Sequence, residues 1–333
     1  MGKFEEAIVA YEQAVSLDAE YTQAYHNMGN ILLLQGRYAA AIEKYERVIS
    51  LEPDFAEAYN SIAIALQYQG EYAAAIEKCN QAMSLKTDYP EAHNTIASIL
   101  TKVGRCTEAI ESYRRALRLK PDYAEAHSNL GMALLLTGRF EEGWNEYGWR
   151  LRTEKAAYPH RHHVPCWDGS PFEGKRLLVH YEQGFGDNIQ FIRYLPMVKR
   201  RGGTVICEMP APLIGLFRGF AGIDELIPAS AERVFATEFD LYVPLLELPR
   251  IFKTTLDTIP GGVPYLYADP AKARHWRQRL ASRAFKVGII WAGKPAHPED
   301  RTRSCHLRNF LRLSKIPGLA LFGLQKGDAA GQA

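Results

Sequence analysis

The stretch Glu182-Gln183-Gly184-Phe185-Gly186-Asp187 joins a short apolar run to a segment with helical spacing, and it is the strongest candidate for chemistry. Asp187 falls at the start of that helix, where the macrodipole stabilises a carboxylate. Gly186 leaves room for a ligand beside it. Plain N-capping by Asp would put the same residue in the same place. The glycines do not form a dinucleotide fingerprint: Ile189 stands where the third glycine belongs, and no acidic residue closes a clear second strand. A dinucleotide oxidoreductase therefore ranks far below the other readings. Further along, Gly293, Lys294, Arg301, Arg303 and Ser304 follow the apolar run VGIIWAG. Such a basic loop is as readily a solvated surface. Its place after a strand end makes it a candidate anion site.

Other reactive residue types lack the company their chemistry needs. His160, His162 and His163 form HRHH, without the spacing of a metal site and with no carboxylate or Cys pair beside them. A solvated or packing role is the better reading. His297 and His306 lack the partners of a nucleophilic dyad. Five cysteines form no CxxC pair and are odd in number, which indicates free thiols in a reducing, cytoplasmic compartment. No P-loop and no Ser/His/Asp set is present.

The elements that would position these residues fall into two halves. Of 333 residues, 47% are hydrophobic and 23% charged, an ordinary globular composition for more than one domain. No apolar run approaches the roughly 18–20 residues of a membrane span, so no transmembrane segment is expected. Residues 1–156 hold 16 Lys+Arg against 22 Asp+Glu, a net of −6; the remainder carries +8. The basic half suits an anionic small molecule, and it is too weakly and diffusely charged for nucleic acid.

The first half repeats every 34 residues. Tyr21, Phe55, Tyr89 and Tyr123 share one column; Gly36, Gly70, Gly104 and Gly138 share another. Ala7, Ala41, Ala75 and Ala109 keep step, as do Leu17, Leu51, Leu85 and Leu119. Tyr11, Tyr45, Tyr113 and Tyr147 make a further column in which Cys79 stands once. Each unit reads as two helices: AYHNMGNILLLQG stops at a glycine, and RYAAAIEKYERVISLEP ends at a proline. Small residues (Gly29, Ala63, Ala97, Gly131) let the paired helices approach closely. Units 21–54, 55–88 and 89–122 are complete, a fourth begins at 123, and 3–20 reads as a second helix without its partner.

This pattern resembles the tetratricopeptide repeat, an α solenoid, over residues 1–155. The resemblance implies a concave face that binds a protein or peptide partner, with Asn27, Ser61, Thr95 and Asn129 in the first-helix column facing it. In the O-linked N-acetylglucosamine transferases, asparagines in this column grip a peptide backbone. Here two of the four are Asn, and small polar residues on a solvated face are the favoured reading of the column.

Residues 156–174, rich in Pro, His and Gly, read as a linker, with Trp167 packing it onto the next domain. From Lys175, strands alternate with helices: KRLLVHY, a glycine loop, NIQFIRYLPMVKRRGG, TVICEM, PLIGLFRGF, DELIPA and FDLYVPL. That order indicates a parallel α/β sheet with helices on its faces. Ligands of such sheets bind at the carboxyl ends of the strands, where the glycine loop lies.

LLVHYEQGFGDNIQFIRYLPMVKRRGG resembles the first strand, loop and helix of the family 9 glycosyltransferases, the heptosyltransferase type. More closely, it resembles bacterial proteins that join tetratricopeptide repeats to such a domain. The similarity runs through FDLYVPLLELPRIF and VGIIWAGKPAHPEDRTRS to LFGLQKG. It implies a Rossmann-like GT-B fold, with an acceptor-side domain over 175–284 and the start of a donor-side domain over 285–333. It further implies Asp187 as general base, withdrawing the proton of an acceptor hydroxyl. Arg301, Arg303 and Ser304, helped by Lys294 and backbone near Gly293, would offset the charge of the departing nucleotide diphosphate. Gln183 and Gln190, with Gly184 and Gly186, would line the acceptor side of the loop. A nucleotide sugar is the expected co-substrate, with no metal and no resident cofactor.

From Lys286 only 48 residues remain, whereas a complete GT-B half needs well over ~100. The donor-side half is therefore expected to be incomplete, and the repeat array to begin before residue 1. Two readings follow: a glycosyltransferase-like protein acting on a glycan or protein acceptor, or a non-catalytic adaptor with a degenerate transferase domain.

Overall fold

A computed structural model describes residues 2–153, 164–229, 238–293 and 300–332. His160, His162, His163, Lys294 and His297 lie outside the described residues, as does the side chain of Arg301. The chain divides into two compact units, Met1–Leu266 and Tyr267–Ala333.

The first unit begins with a helical solenoid: α1 (Gly2–Leu17), α2 (Thr22–Leu34), α3 (Tyr38–Leu51), α4 (Ala56–Gln69), α5 (Tyr72–Leu85), α6 (Pro90–Lys102), α7 (Cys106–Leu119), α8 (Ala124–Leu136) and α9 (Phe140–Tyr147). A 3-10 turn, Gly148–Arg152, ends it. The glycine column stops every first helix. Gly36, Gly70, Gly104 and Gly138 have φ between 73 and 82°, a left-handed conformation glycine adopts without steric cost. The next residue's N–H then donates five residues back: Arg37 to Leu32, Glu71 to Leu66, Arg105 to Leu100 and Arg139 to Leu134, at 2.8–2.9 Å. These are Schellman closures, and they turn the sequence period into a backbone period. The small and aromatic columns meet between the helices: Ala41, Tyr45, Ala75, Cys79, Ala109 and Tyr113 are all buried.

After the solenoid, β1 (Arg176–His180), β2 (Thr204–Met209), β3 (Glu225–Pro228) and β4 (Leu241–Pro244) form a wholly parallel sheet in the order β3-β2-β1-β4. Between β1 and β2 come α10 (Phe185–Phe191) and α11 (Leu195–Lys199). The single helix expected over this stretch is interrupted by a 3-10 turn at Ile192–Tyr194. Pro196, with no N–H to give, cannot continue the ladder through this point. Between β2 and β3 lies α12 (Ala211–Phe217), and α13 (Leu248–Ile251) follows β4. Winding runs outward from β1 through β2 to β3, then returns to place β4 on the other side of β1. The switch point of the sheet is therefore the crevice between β1 and β4, the usual ligand position in such sheets. Leu177, Val179, Val205, Cys207 and Val243 form the sheet's buried core with Trp167 and Phe172. Trp167 packs as expected, and its N–H donates to the Tyr242 carbonyl at 2.8 Å.

The second unit holds α14 (Pro270–Arg279), a parallel pair β5 (Phe285–Ile289) and β6 (Leu319–Gly323), and the short α15 (Asp300–Arg303). The helix expected over HLRNFLRLSK is instead two 3-10 turns, Leu307–Asn309 and Leu311–Lys315. None of their residues is buried, so no packed face stabilises a longer helix. Among the described residues, no helix is long and apolar enough to cross a membrane.

Candidate functional site

Two places in the first unit gather polar side chains. One is a groove of about 450 Å³ on the solenoid, bordered by α4, α6 and α8. Its lining is amide and hydroxyl: Gln67, Asn94, Thr95, Ser98, Ser128 and Asn129, with Ile64 and Tyr68 on one wall and Thr153 at the end. Among the described lining residues, Glu125 is the one charged side chain. Neighbouring groups hold each other in place. Gln67 Nε2 donates to Ser98 Oγ at 2.8 Å, and Asn129 Nδ2 donates to Asn94 Oδ1 at 3.1 Å. Each amide keeps further donor or acceptor capacity for a ligand, as a peptide backbone requires.

Of the four residues in the expected column, Thr95 and Asn129 line this groove. The Thr95 hydroxyl is engaged by the Glu91 carbonyl of its own helix. Asn27 is tied to the Tyr11 hydroxyl and to Gln23, and Ser61 lies beside the Tyr45 hydroxyl, so neither belongs to the groove lining. The neighbouring column supplies Asn94 and Ser128. The sequence does not mark this column, because its members His26, Asn60, Asn94 and Ser128 change type from unit to unit.

The other place is the loop after β1, at the switch point. Gln183 has φ +55°, in the left-handed region although it is not glycine. Gly184 is the N-cap of α10, and its N–H donates to Asp187 Oδ2 at 3.0 Å. Asn188, fully buried, closes the turn by donating to the carbonyls of Glu182 and Gly184 at 3.0 and 2.7 Å. Gln183, Gly184 and Gly186 are exposed, and a Cβ placed on Gly186 would meet open space. Asp187 therefore caps its helix and borders an open approach.

The loop is held from the solenoid. Tyr147 Oη accepts from Gln183 Nε2 at 2.6 Å. Arg150 grips Glu182 through Nε (3.2 Å) and Nη2 (2.7 Å), and Glu247, just after β4, through Nη1 (2.6 Å). The three side chains are 10, 8 and 4% exposed, so the guanidinium occupies the crevice between β1 and β4 itself. Glu182 also accepts from the Leu246 N–H, and Glu247 from Arg250. Burial pushes the Glu182 carboxyl up, against the pull of Arg150. Burial works against the Arg150 charge, but the two carboxylates outweigh it and hold the guanidinium protonated. No local sequence pattern marks Arg150, Glu182 and Glu247 as partners or Gln183 as left-handed.

Gln190 lies elsewhere, in a cleft of about 180 Å³ between the solenoid end and the sheet, with Phe140, Trp144, Phe191 and Arg193. Trp144 Nε1 donates to the Thr254 carbonyl there. In the second unit, the Gly293 N–H donates to Ser304 Oγ at 2.8 Å, and Ser304 Oγ donates to Asp300 at 2.5 Å. Arg303 is exposed.

The TPR repeat family matches residues 1–36, 29–70 and 97–138. Protein FlbA of Caulobacter vibrioides is 26% identical over 208 residues, covering 56% of this chain and 34% of that protein. The chain thus spans about a third of the length of that curated relative. Among solved structures, MamA is 26% identical with a TM-score of 0.40, covering 48% of this chain and 93% of MamA. YrrB, described as a TPR protein with an unusual peptide-binding site, is 18% identical with a TM-score of 0.36, covering 47% and 80%. The first TPR of Spaghetti (RPAP3), bound to the HSP90 peptide SRMEEVD, is 25% identical with a TM-score of 0.34, covering 36% and 95%. The amino-terminal half of this chain is a tetratricopeptide repeat solenoid, and a four-stranded parallel α/β region follows it.

Proposed function

We propose that the chain belongs to a nucleotide-sugar-dependent glycosyltransferase whose solenoid groove holds a peptide segment of the acceptor or of a partner. One observation supports this above others: the glycine loop with Asp187 stands at the switch point of a parallel sheet, in the same compact unit as the groove. Asp187 would take the proton of the attacking hydroxyl. Arg303, with Arg301 and Lys294, would offset the charge of the departing diphosphate. The groove's uncharged amides suit the alternating N–H and C=O groups of an extended backbone.

Two measurements on the intact protein test this. Calorimetric titration with nucleoside diphosphates should show saturable micromolar binding that disappears in Arg303→Ala. Mass spectrometry of a peptide and glycan acceptor library with nucleotide sugars should show transfer that Asp187→Asn abolishes. Full transfer by Asp187→Asn would remove the base assignment.

A specific observation favours the second reading, a non-catalytic adaptor. Asp187 is engaged in capping Gly184, and Arg150 fills the crevice where such sheets bind their ligand. Absence of any nucleotide binding at millimolar ligand, together with peptide capture by the groove, would establish the adaptor instead.

A further inference from the structure

We propose that Tyr147 and Arg150, from the last turn of the solenoid, are positioning residues of the Glu182–Asp187 loop, so that the repeat array is part of that site and not a tether beside it. The proposal rests on reading the loop as a ligand-binding element, but its test does not need a ligand. Gln183 sits in a left-handed conformation that a non-glycine residue keeps only when its surroundings hold it. Among the described residues, its side-chain hydrogen bond goes to Tyr147, outside the α/β region. The preceding residue, Glu182, is buried and receives the Arg150 fork, while the same guanidinium reaches Glu247 on the far side of the switch point. Two consecutive loop residues are therefore fixed from the solenoid.

That fixation passes directly to Asp187. Asn188 binds the carbonyls of Glu182 and Gly184, and the Gly184 N–H holds the Asp187 carboxylate. Placing a carboxylate to within a few tenths of an ångström depends on supports of this kind. The Tyr147 ring also lies over the guanidinium, 4.6 Å from Arg150 Cζ to the ring centroid, so the two supports brace each other.

Hydrogen–deuterium exchange of the intact protein tests this without any assumption about turnover. Tyr147→Phe keeps the ring against Arg150 and removes the bond to Gln183. Exchange at Gly184 and Asn188 should rise about tenfold, an opening shift of the size expected for local release, while amides of α2–α7 stay unchanged. Gln183→Ala should do the same, and the double variant should add little to either single one, since both remove one bond. Arg150→Lys keeps the charge but loses the fork, and should expose the Leu246 amide that Glu182 now accepts. Tyr113→Phe, one repeat earlier, is the control: it should lower stability and leave the loop untouched. Unchanged exchange at Gly184 and Asn188 in both Tyr147→Phe and Gln183→Ala would overturn the proposal. A loop that responds in a protein that binds no nucleotide would uphold the positioning role and count against the transferase reading alone.

Discussion

Gly131 of α8 lies directly against the backbone of Tyr147 at the end of α9: a Cβ at Gly131 would meet the Tyr147 amide nitrogen and stand 2.7 Å from its Cα. One repeat position carries Gly29, Ala63, Ala97 and Gly131, yet the four sites are not equivalent. At Gly29 the obstacle is the Tyr45 ring, 2.5 Å from such a Cβ. A ring can tilt; a backbone bonded on both sides cannot. Gly131→Ala should therefore cost about 3 kcal/mol, the upper part of the range for overpacking, and Gly29→Ala about 1–2 kcal/mol. Urea unfolding of the two variants checks the order. Equal losses would mean that the two helix contacts are equally compliant. Because Tyr147 holds Gln183, Gly131→Ala should also loosen the loop, which Gly29→Ala should not.

The buried triad gives a second prediction with a pH signature. Arg150→Met leaves the Glu182 carboxylate buried without its cation, while Glu247 keeps Arg250, and losing one partner of such a buried pair costs about 3–5 kcal/mol. Burial already pushes the Glu182 carboxyl up. Without Arg150 its folded-state value must lie above its unfolded one, so the folded state binds the proton more tightly. The stabilisation is then present at low pH and lost as pH rises through the folded value. Arg150→Met should accordingly recover part of its loss between pH 7 and pH 5, and adding Glu182→Gln should flatten that recovery. Thermal unfolding at the two pH values is the measurement; a loss independent of pH would mean that Glu182 is relieved by water.

Much of this architecture was legible because it is periodic. The glycine column announces the left-handed helix ends, and the small and aromatic columns announce which helices touch. The strand-loop-helix order likewise announces the parallel sheet. What could not be read is what joins unlike parts of the chain. Arg150, Glu182 and Glu247 share no period and no local pattern, so nothing marks them as partners until the chain is folded. Asn94 escaped for the opposite reason, since its column mixes His, Asn and Ser and shows no ladder. At Asp187 the sequence places the residue in the first helical turn, but it stands at N3 and binds the N–H of the N-cap Gly184 instead of being the N-cap itself, and capping and proton transfer both ask for a carboxylate there. At Pro196 a local rule suffices: the proline inside the expected helix marks where the ladder fails.

Thiol chemistry reports directly on both cores. Cys79 in the solenoid and Cys207 in the sheet are wholly buried, and burial pushes the Cys79 thiol up to about 12 and the Cys207 thiol further in the same direction. Neither should react with an aromatic disulfide reagent in the native state at pH 8, because attack requires the thiolate. Cys166 and Cys305 are exposed and Cys106 partly so. Burial of its sulfur also raises Cys166, so it should react more slowly than Cys305. Native protein should thus release three equivalents of chromophore and denatured protein five. Modification of Cys79 before unfolding, seen by peptide mass mapping, would show that the repeat interior opens locally.

Two histidines should make the solenoid sensitive to mild acid. His26 lies between the rings of Tyr45 and Phe55, and burial lowers its basicity although Glu57 pulls the other way. His93 is also lowered, first by burial and then by the nearby Arg115 and Arg118 charges. The sign follows from linkage: below about pH 6.5 the unfolded chain gains these protons while the folded chain resists them. Stability is therefore full above that pH and falls as pH drops toward the folded-state values. Between pH 7.5 and 5.5, above the range in which most carboxylates titrate, the wild-type urea midpoint should fall. In the double variant His26→Phe, His93→Gln the fall should be clearly smaller, since neither replacement can charge. Identical slopes in the two proteins would place the acid sensitivity elsewhere. Site-resolved exchange across the same pH range should show α2 and α6, which carry the two histidines, opening first.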